Sequence, residues 1–213
     1  LLKMKLDFEK IIDISMPVHE KMPVYKGRPE KKPKLYTVSD YNTGHVYESC
    51  TNMNLHTGTH IDLPLHMLVG GSTVESLRLE NCITGCKVLD LTKAKERITA
   101  SDLADKDIRE NDFILIKTRN SFEDILEKDF IYLDKSAAGL LVERKIKGVG
   151  IDSLGIERAQ PEHETHKLLL GAGIIILEGL RLMNVDEDEY ILLAAPVNIV
   201  GAEAAPVRAV LLK

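Results

Sequence analysis

The sequence reads as an α+β domain built on a large, strongly curved sheet of mixed strands. Three observations predict this. The chain has 213 residues, 44% of them hydrophobic and 29% charged, ordinary for a globular protein and sufficient for a single domain spanning 1–213. Stretches with strand character outnumber those with a helical period, and the two do not alternate regularly. No internal repeat, low-complexity tract or interdomain linker divides the chain.

In chain order, short apolar or alternating runs place strands near 11–15, 46–55, 86–90, 113–118, 148–152, 174–178, 190–197 and 207–212. The run "IIILE" reads as buried up to its last residue, Glu178. Helices are fewer. Ser101 can cap a short one that begins "DLAD". Asp134 can cap "KSAAGLLVERKIK", whose Ala137, Leu140, Leu141 and Ile146 form an apolar stripe. In "PEHETHKLLLGAG", Pro161 suits a first turn and Glu162 and Glu164 favour the positive helix N-terminus. Gly171 or Gly173 ends that helix.

The net charge of −5 argues against a nucleic-acid partner, which calls for a basic patch or stripe. No apolar run approaches the roughly 20 residues that span a bilayer, so no membrane partner is expected. The opening "LLKMKLDFEK" lacks a signal-peptide core, and Met4 reads as the start, preceded by three added residues. Cys50, Cys82 and Cys86 are an odd set, unlike a disulfide framework, which points to the reducing cytoplasm. Cys82 and Cys86 are expected to be buried as small hydrophobes.

The chemistry concentrates in "HTGTHIDLPLH", 56–66. Its even positions are His, Gly, His, Asp, Pro, His and its odd ones Thr, Thr, Ile, Leu, Leu, a chemical face and a packing face with period 2. A straight strand would hold His56 and Asp62 about 20 Å apart, too far to share one ion at ligand distances of about 2.0–2.2 Å. The segment therefore turns, and Gly58 is where backbone freedom permits it. Pro64 fixes the exit direction. A bend there lets His56, His60 and Asp62 meet at one metal ion. Downstream, His163 and His166 lie at i, i+3 on one helical face. Glu178 is, from its spacing alone, either a partly exposed strand-end charge or a buried, paired one, with the former slightly favoured.

"HTGTHIDLPLH" resembles the His-x-Gly-Thr-His-x-Asp-x-Pro-x-His signature of the metal-dependent cyclase-like hydrolases, which include the bacterial kynurenine formamidases. The likeness extends to "DISMPV" and "VYKG" near the start, "VGIDS" at 149–153, "HKLLLGAGIIILEGL" at 166–180 and "APVRAVLL" at the end. It implies a swivelling β/β/α fold assembled into homodimers or homotetramers. It also implies that His56, His60 and Asp62 hold one ion and that Asp62 bridges to a second held by His166 and Glu178, which reverses the bland reading of Glu178. His66 matches the family's acid/base. Mixed His and carboxylate ligands suit two divalent ions per chain, zinc first and manganese second. Such an ion lowers the pKa of its water to about 7.

The implied reaction is hydrolysis of a small-molecule amide, N-formylkynurenine to kynurenine and formate (arylformamidase), a step of tryptophan catabolism. The alternatives are hydrolysis of a cyclic amide such as isatin, or another small amide, lactone or ester, and metal binding without turnover. His66 argues against the last, because a pure binding site needs no acid/base at its edge. The chain departs from the formamidase pattern near "YKGR": Lys26 and Arg28 replace the usual proline and acid, and there is no Trp. Tyr25 is then the aromatic expected to stack on substrate, and Lys26 or Arg28 the cations expected to meet a substrate carboxylate. Met67 stands where Phe is usual. His163 and His45 are expected outside the ligand set, His163 at the surface or behind a ligand.

Overall fold

The computed structural model describes residues 9–213, so the reading of Met4 as the start lies outside the described residues. Among the described residues there are thirteen strands: β1 (Ile11–Asp13), β2 (Lys34–Ser39), β3 (Glu48–Asn52), β4 (His60–Asp62), β5 (Ile83–Asp90), β6 (Arg97–Ile98), β7 (Phe113–Lys117), β8 (Tyr132–Leu133), β9 (Gly148–Ile151), β10 (Ile175–Glu178), β11 (Glu189–Leu193), β12 (Ala204–Pro206) and β13 (Val210–Leu212). The helices are α1 (Ala100–Leu103), α2 (Lys135–Glu143) and α3 (Glu164–Gly171).

Nine strands form one mixed sheet in the order β1-β13-β11-β5-β7-β9-β10-β4-β12. The four central strands, β5, β7, β9 and β10, are parallel, and every pairing outside them is antiparallel. Parallel neighbours need a crossover. Helices α1, α2 and α3 lie in the three successive connections. Strand and helix therefore do alternate between Ile83 and Glu178, contrary to the sequence reading. The antiparallel wings on both sides keep the domain in the mixed, curved α+β class.

The curvature is visible in two bridges. Ser15, just past edge strand β1, pairs with Leu180, just past β10, although five strands separate β1 from β10. Pro196, beyond β11, pairs with Val207, beyond β12. Only a curled sheet brings these ends together.

Burial on both faces explains the continuous apolar runs of the central strands. On β7, Phe113 and Leu115 enter one core with Ile61, Leu63 and Leu177, while Ile114 and Ile116 enter a second. That second core packs under the helices, through Ala137, Ala138 and Leu141 of α2 and Leu169 and Leu170 of α3. Helix α2 starts as expected: the Asp134 carboxylate accepts from the backbone N–H of Ser136 and Ala137 at 2.8 and 3.1 Å. Helix α1 is capped by Thr99 rather than Ser101, because Thr99 and Asp102 form a reciprocal capping box. Helix α3 begins at Glu164, after His163 adopts a left-handed φ of 55°; Pro161 and Glu162 precede it.

Two strands escape the hydrophobic pattern for physical reasons. Strand β12 carries Pro206 and pairs only with β4 at the sheet edge, where proline's missing N–H is tolerated. Strand β2 pairs with β3 in a separate ribbon exposed on both faces. Its strands bury no face, so no alternation of burial marks them. No helix of the described residues is long and apolar enough to cross a membrane.

Candidate metal centre

The segment 56–66 folds in three pieces. Gly58, at φ +70°, turns the chain after His56. Strand β4 then carries His60 and Asp62 two residues apart, on one face, between β10 and β12. Its opposite face sends Ile61 into the core. Pro64 opens a 3-10 turn, Pro64–His66, which swings His66 back toward the site. The turn at Gly58 is as expected, and the residues after it form a strand of the sheet.

Position opposite β4 decides Glu178. It pairs with His60 in the β10–β4 register, and cross-strand neighbours of this kind hold their Cβ atoms about 4.5–5.5 Å apart. Glu178 is 3% exposed and its Oε1 accepts from the Ile156 N–H at 2.5 Å. It is therefore a buried, engaged carboxylate, and the exposed strand-end reading is wrong. Gly179, at φ +71°, follows it, and a Cβ there would stand 2.2 Å from the Gly58 carbonyl oxygen. The two glycines let the metal-facing turn and the end of β10 touch backbone to backbone.

The side chains converge on Asp62. His56 Nδ1 lies 2.9 Å from Asp62 Oδ1 and His60 Nε2 3.4 Å from the same atom. His166 Nε2 lies 3.6 Å from Asp62 Oδ2. Glu178 faces both sides, with Oε2 3.4 Å from His60 Nε2 and Oε1 3.4 Å from His166 Nε2. The five residues read from the sequence as a ligand set thus meet in one place. Both oxygens of Asp62 are buried and make no hydrogen bond. A buried carboxylate left without donors is costly, and a cation between it and the surrounding imidazoles removes that cost. Hard carboxylate and borderline imidazole donors together fit a divalent first-row ion or zinc.

Two of these imidazoles are oriented from behind. His60 donates Nδ1–H to the Gly58 carbonyl at 2.9 Å, which aims Nε2 inward. His166 places Nδ1 2.5 Å from Glu157 Oε1, which aims its Nε2 at Asp62 and Glu178. Glu157 also accepts from the Thr165 N–H at 3.0 Å and from Gln160 Nε2 at 2.6 Å. Nothing in the sequence reading pointed to Glu157. It lies nine residues before His166 on an irregular loop, and no periodicity pairs the two. His163, expected outside the ligand set, lies with Nδ1 3.0 Å from the same Glu157 oxygen, and Glu157, His163 and His166 are close enough together to hold an ion of their own. His45 is exposed and lies outside the cleft's lining.

Charge is balanced within the cluster. Burial opposes a charge on His60, but Asp62 and Glu178 outweigh it and hold the metal-free imidazole up at about 10. Burial also opposes a charge on His166, and Asp62, Glu157 and Glu178 raise it in the same way. Burial pushes Asp62 up, yet His166, His56 and His60 hold it well below the usual carboxylate range. His66 differs: burial lowers its pKa, and the neighbouring His56 and His166 add to that against the pull of Asp62. Its ring centre is 4.2 Å from that of His56 and 5.5 Å from that of His166.

The cluster opens into a cleft of about 360 Å³ lined by Tyr25, Lys31, His56, His66, Met67 and Glu203, among others. That is within the roughly 300–1,000 Å³ typical of small-molecule sites. Tyr25 is where the sequence places a stacking wall. Lys26 faces a different cleft, with Glu127 and Phe130, and Arg28 lines neither; the cation at the site is Lys31. Glu203, 3.3 Å from His56 Nε2, was also unforeseen; it precedes the proline-containing edge strand that the sequence reading missed. Cys82 and Cys86 are buried as expected, their thiols pushed up to about 11 and about 12 by burial.

Relatives share this arrangement's length and fold. A solved structure described as a "predicted metal-dependent hydrolase from Bacillus stearothermophilus" is 51% identical, with a TM-score of 0.88 over 95% of this chain and 98% of that one. Another, a "potential metal-dependent hydrolase with cyclase activity", is 50% identical with a TM-score of 0.89 over 95% and 97%. The kynurenine formamidase of Geobacillus thermodenitrificans is 32% identical over 95% of this chain and 97% of its own. The family described as "Putative cyclase" matches residues 12–158. The chain belongs to the Cyclase family of metal-dependent hydrolases.

Proposed function

We propose that this protein is a metal-dependent arylformamidase that hydrolyses N-formylkynurenine to kynurenine and formate. The observation that carries the reading is the buried, donor-free Asp62 ringed by three imidazoles and Glu178, with His66 beside it at the floor of a cleft. The kynurenine formamidase relatives, alike over nearly their whole length, support the choice of substrate.

His56, His60 and Asp62 would hold one ion, and Asp62, His166 and Glu178 a second; zinc fits both, and manganese is the alternative. When bound, the ions would supply a water acidified to near neutrality and a Lewis acid for the amide carbonyl. The chain's own residues do the rest. Burial lowers the pKa of His66, which favours a free nitrogen that can take a proton and return it to the departing aniline nitrogen. Tyr25 offers the aromatic ring of the substrate a flat wall. Glu157 fixes His166, and the Gly58 carbonyl fixes His60.

A second reading makes His66 a ligand. One atom each of His56, Asp62 and His66 lie within 4.8 Å of one another, so an ion held there would spend His66 on coordination and leave the proton transfer to solvent.

Assembly into a homodimer or homotetramer belongs to the same proposal. The β2–β3 ribbon exposes Leu35, Tyr36, Val38, Val46 and Tyr47, and an isolated two-stranded ribbon is at best marginally stable in water. A second copy covering it would remove that weakness. The three cysteines are free, which supports a cytoplasmic location.

The test is a substrate panel of N-formylkynurenine, isatin and simple aryl esters on protein loaded with zinc or manganese. Formylkynurenine is expected to be the fastest. Turnover no faster than free metal gives would overturn the formamidase reading, and isatin or an ester in first place would put a related small-amide hydrolase in its stead.

A further inference from the structure

We infer that Lys31 is the anion-recognising residue of the cleft and that the substrate carries a carboxylate beside its aryl amide. The inference rests on the amide-hydrolase reading above and adds the class of substrate the cleft selects. It starts from the charges on the cleft wall. Glu157, Glu178 and Glu203 face it, and among the described residues Lys31 is the only lysine or arginine on its lining. Each acid already has a partner: Glu157 holds His166, Glu178 lies between His60 and His166, and Glu203 sits beside His56.

Lys31 is placed differently. Its ammonium stands 5.4 Å from the centre of the Tyr25 ring, and it forms no ion pair with a carboxylate of the described residues. It is half-buried at the end of the 3-10 turn Pro29–Lys31, a short rigid element opened by a proline. A cation held against an aromatic face in a partly desolvated cleft keeps its donors for a ligand. Tyr25 itself is fixed from behind: its ring packs against Phe130 at 6.1 Å between centres and lies close to Gly155. The ring that would stack on the substrate and the cation that would meet its anion are thus one unit. A neutral aryl amide uses only the ring, whereas an aryl amide with a carboxylate uses both.

The test compares N-formylanthranilate with formanilide, two aryl formamides that differ by one carboxylate. On the metal-loaded enzyme, the ratio of their kcat/KM values should favour the anion. In Lys31→Ala the ratio should fall about tenfold, the effect of losing one charge-assisted contact of about 1.4 kcal/mol, through KM rather than kcat. Lys31→Arg should restore most of the ratio. A second arm needs no turnover: calorimetric binding of anthranilate and aniline to the same proteins, with anthranilate losing about tenfold in Lys31→Ala by the same contact. An anion preference that survives Lys31→Ala in both arms would place the carboxylate on the metal ions and overturn the inference. If neither formamide is hydrolysed, the formamidase reading falls, and the binding arm still decides the role of Lys31.

Discussion

Replacing Glu157 with glutamine tests how far the metal centre depends on the carboxylate behind His166. Glu157 is 3% exposed and shares its acceptors in two pairs: Oε1 faces Nδ1 of His166 and of His163, and Oε2 takes Thr165 N–H and Gln160 Nε2. A glutamine must turn its NH2 toward one of those pairs, so a donor meets donors whichever way it sits. Turned toward the imidazoles, it removes the acceptor that aims His166 Nε2 inward. Turned away, it keeps the acceptor but loses the charge that makes His166 a stronger ligand. Losing such a partner typically weakens metal affinity by about 10–100-fold, or about 1.4–2.7 kcal/mol. The unsatisfied buried donor lowers the stability of the metal-free protein by a further ~1–3 kcal/mol. Competition with a chromophoric chelator reads the first effect, and urea unfolding of the metal-free protein reads the second. His163→Ala, which removes only a half-exposed ring from the same oxygen, should weaken affinity far less. Affinity within about twofold of the parent in Glu157→Gln, outside the range such partners command, would show that His166 needs no carboxylate behind it.

Three further outcomes are expected. His66→Ala should keep its metal while turnover falls by about 10²–10⁴; a loss of metal equal to that of His60→Ala would make His66 a ligand. Metal loading at pH 7 should release protons, because metal-free His60, held up at about 10, is charged there and must be neutral to bind. Affinity then rises with pH until His60 deprotonates unaided, and calorimetry in two buffers of different ionisation enthalpy should count at least one proton per chain; a count of zero removes the argument. Gly179→Ala should cost more than ~2 kcal/mol in urea unfolding and lower the metal content, since a left-handed φ and a clash with the Gly58 carbonyl add together. Parent-like stability and metal content would mean that the two backbones part without consequence.

What the sequence reveals and what it hides follow from how local each feature is. His56, His60, Asp62 and His66 share one short segment, so the period of two and the glycine bend are enough to bring them together. Strands β7, β9 and β10 are apolar on both faces and announce themselves. Glu178 could not be settled in this way, because its burial is set by β4, which pairs with it from more than a hundred residues earlier. Glu157 and Lys31 are invisible for the same reason: one sits on a loop nine residues from the imidazole it holds, the other meets the cleft against Tyr25, whose own neighbours in space, Phe130 and Gly155, are distant in sequence. The alternation of strand and helix from Ile83 to Glu178 was already contained in the helices placed at "DLAD", after Asp134 and after Pro161, and was obscured because the strands before and after that stretch follow one another without helices.

Strand β4 carries His60 and Asp62, two of the proposed ligands, while hydrogen-bonded on both edges, to β10 and to β12. Its residues therefore cannot shift without breaking two ladders, whereas Tyr25 and Lys31 belong to short turns that cross no ladder. Reactivity and choice of substrate are consequently held by separate mechanical parts. Exchanging the turns should retarget the enzyme at little cost to its metals, which makes this scaffold a natural starting point for redirecting amide hydrolysis by loop grafting alone.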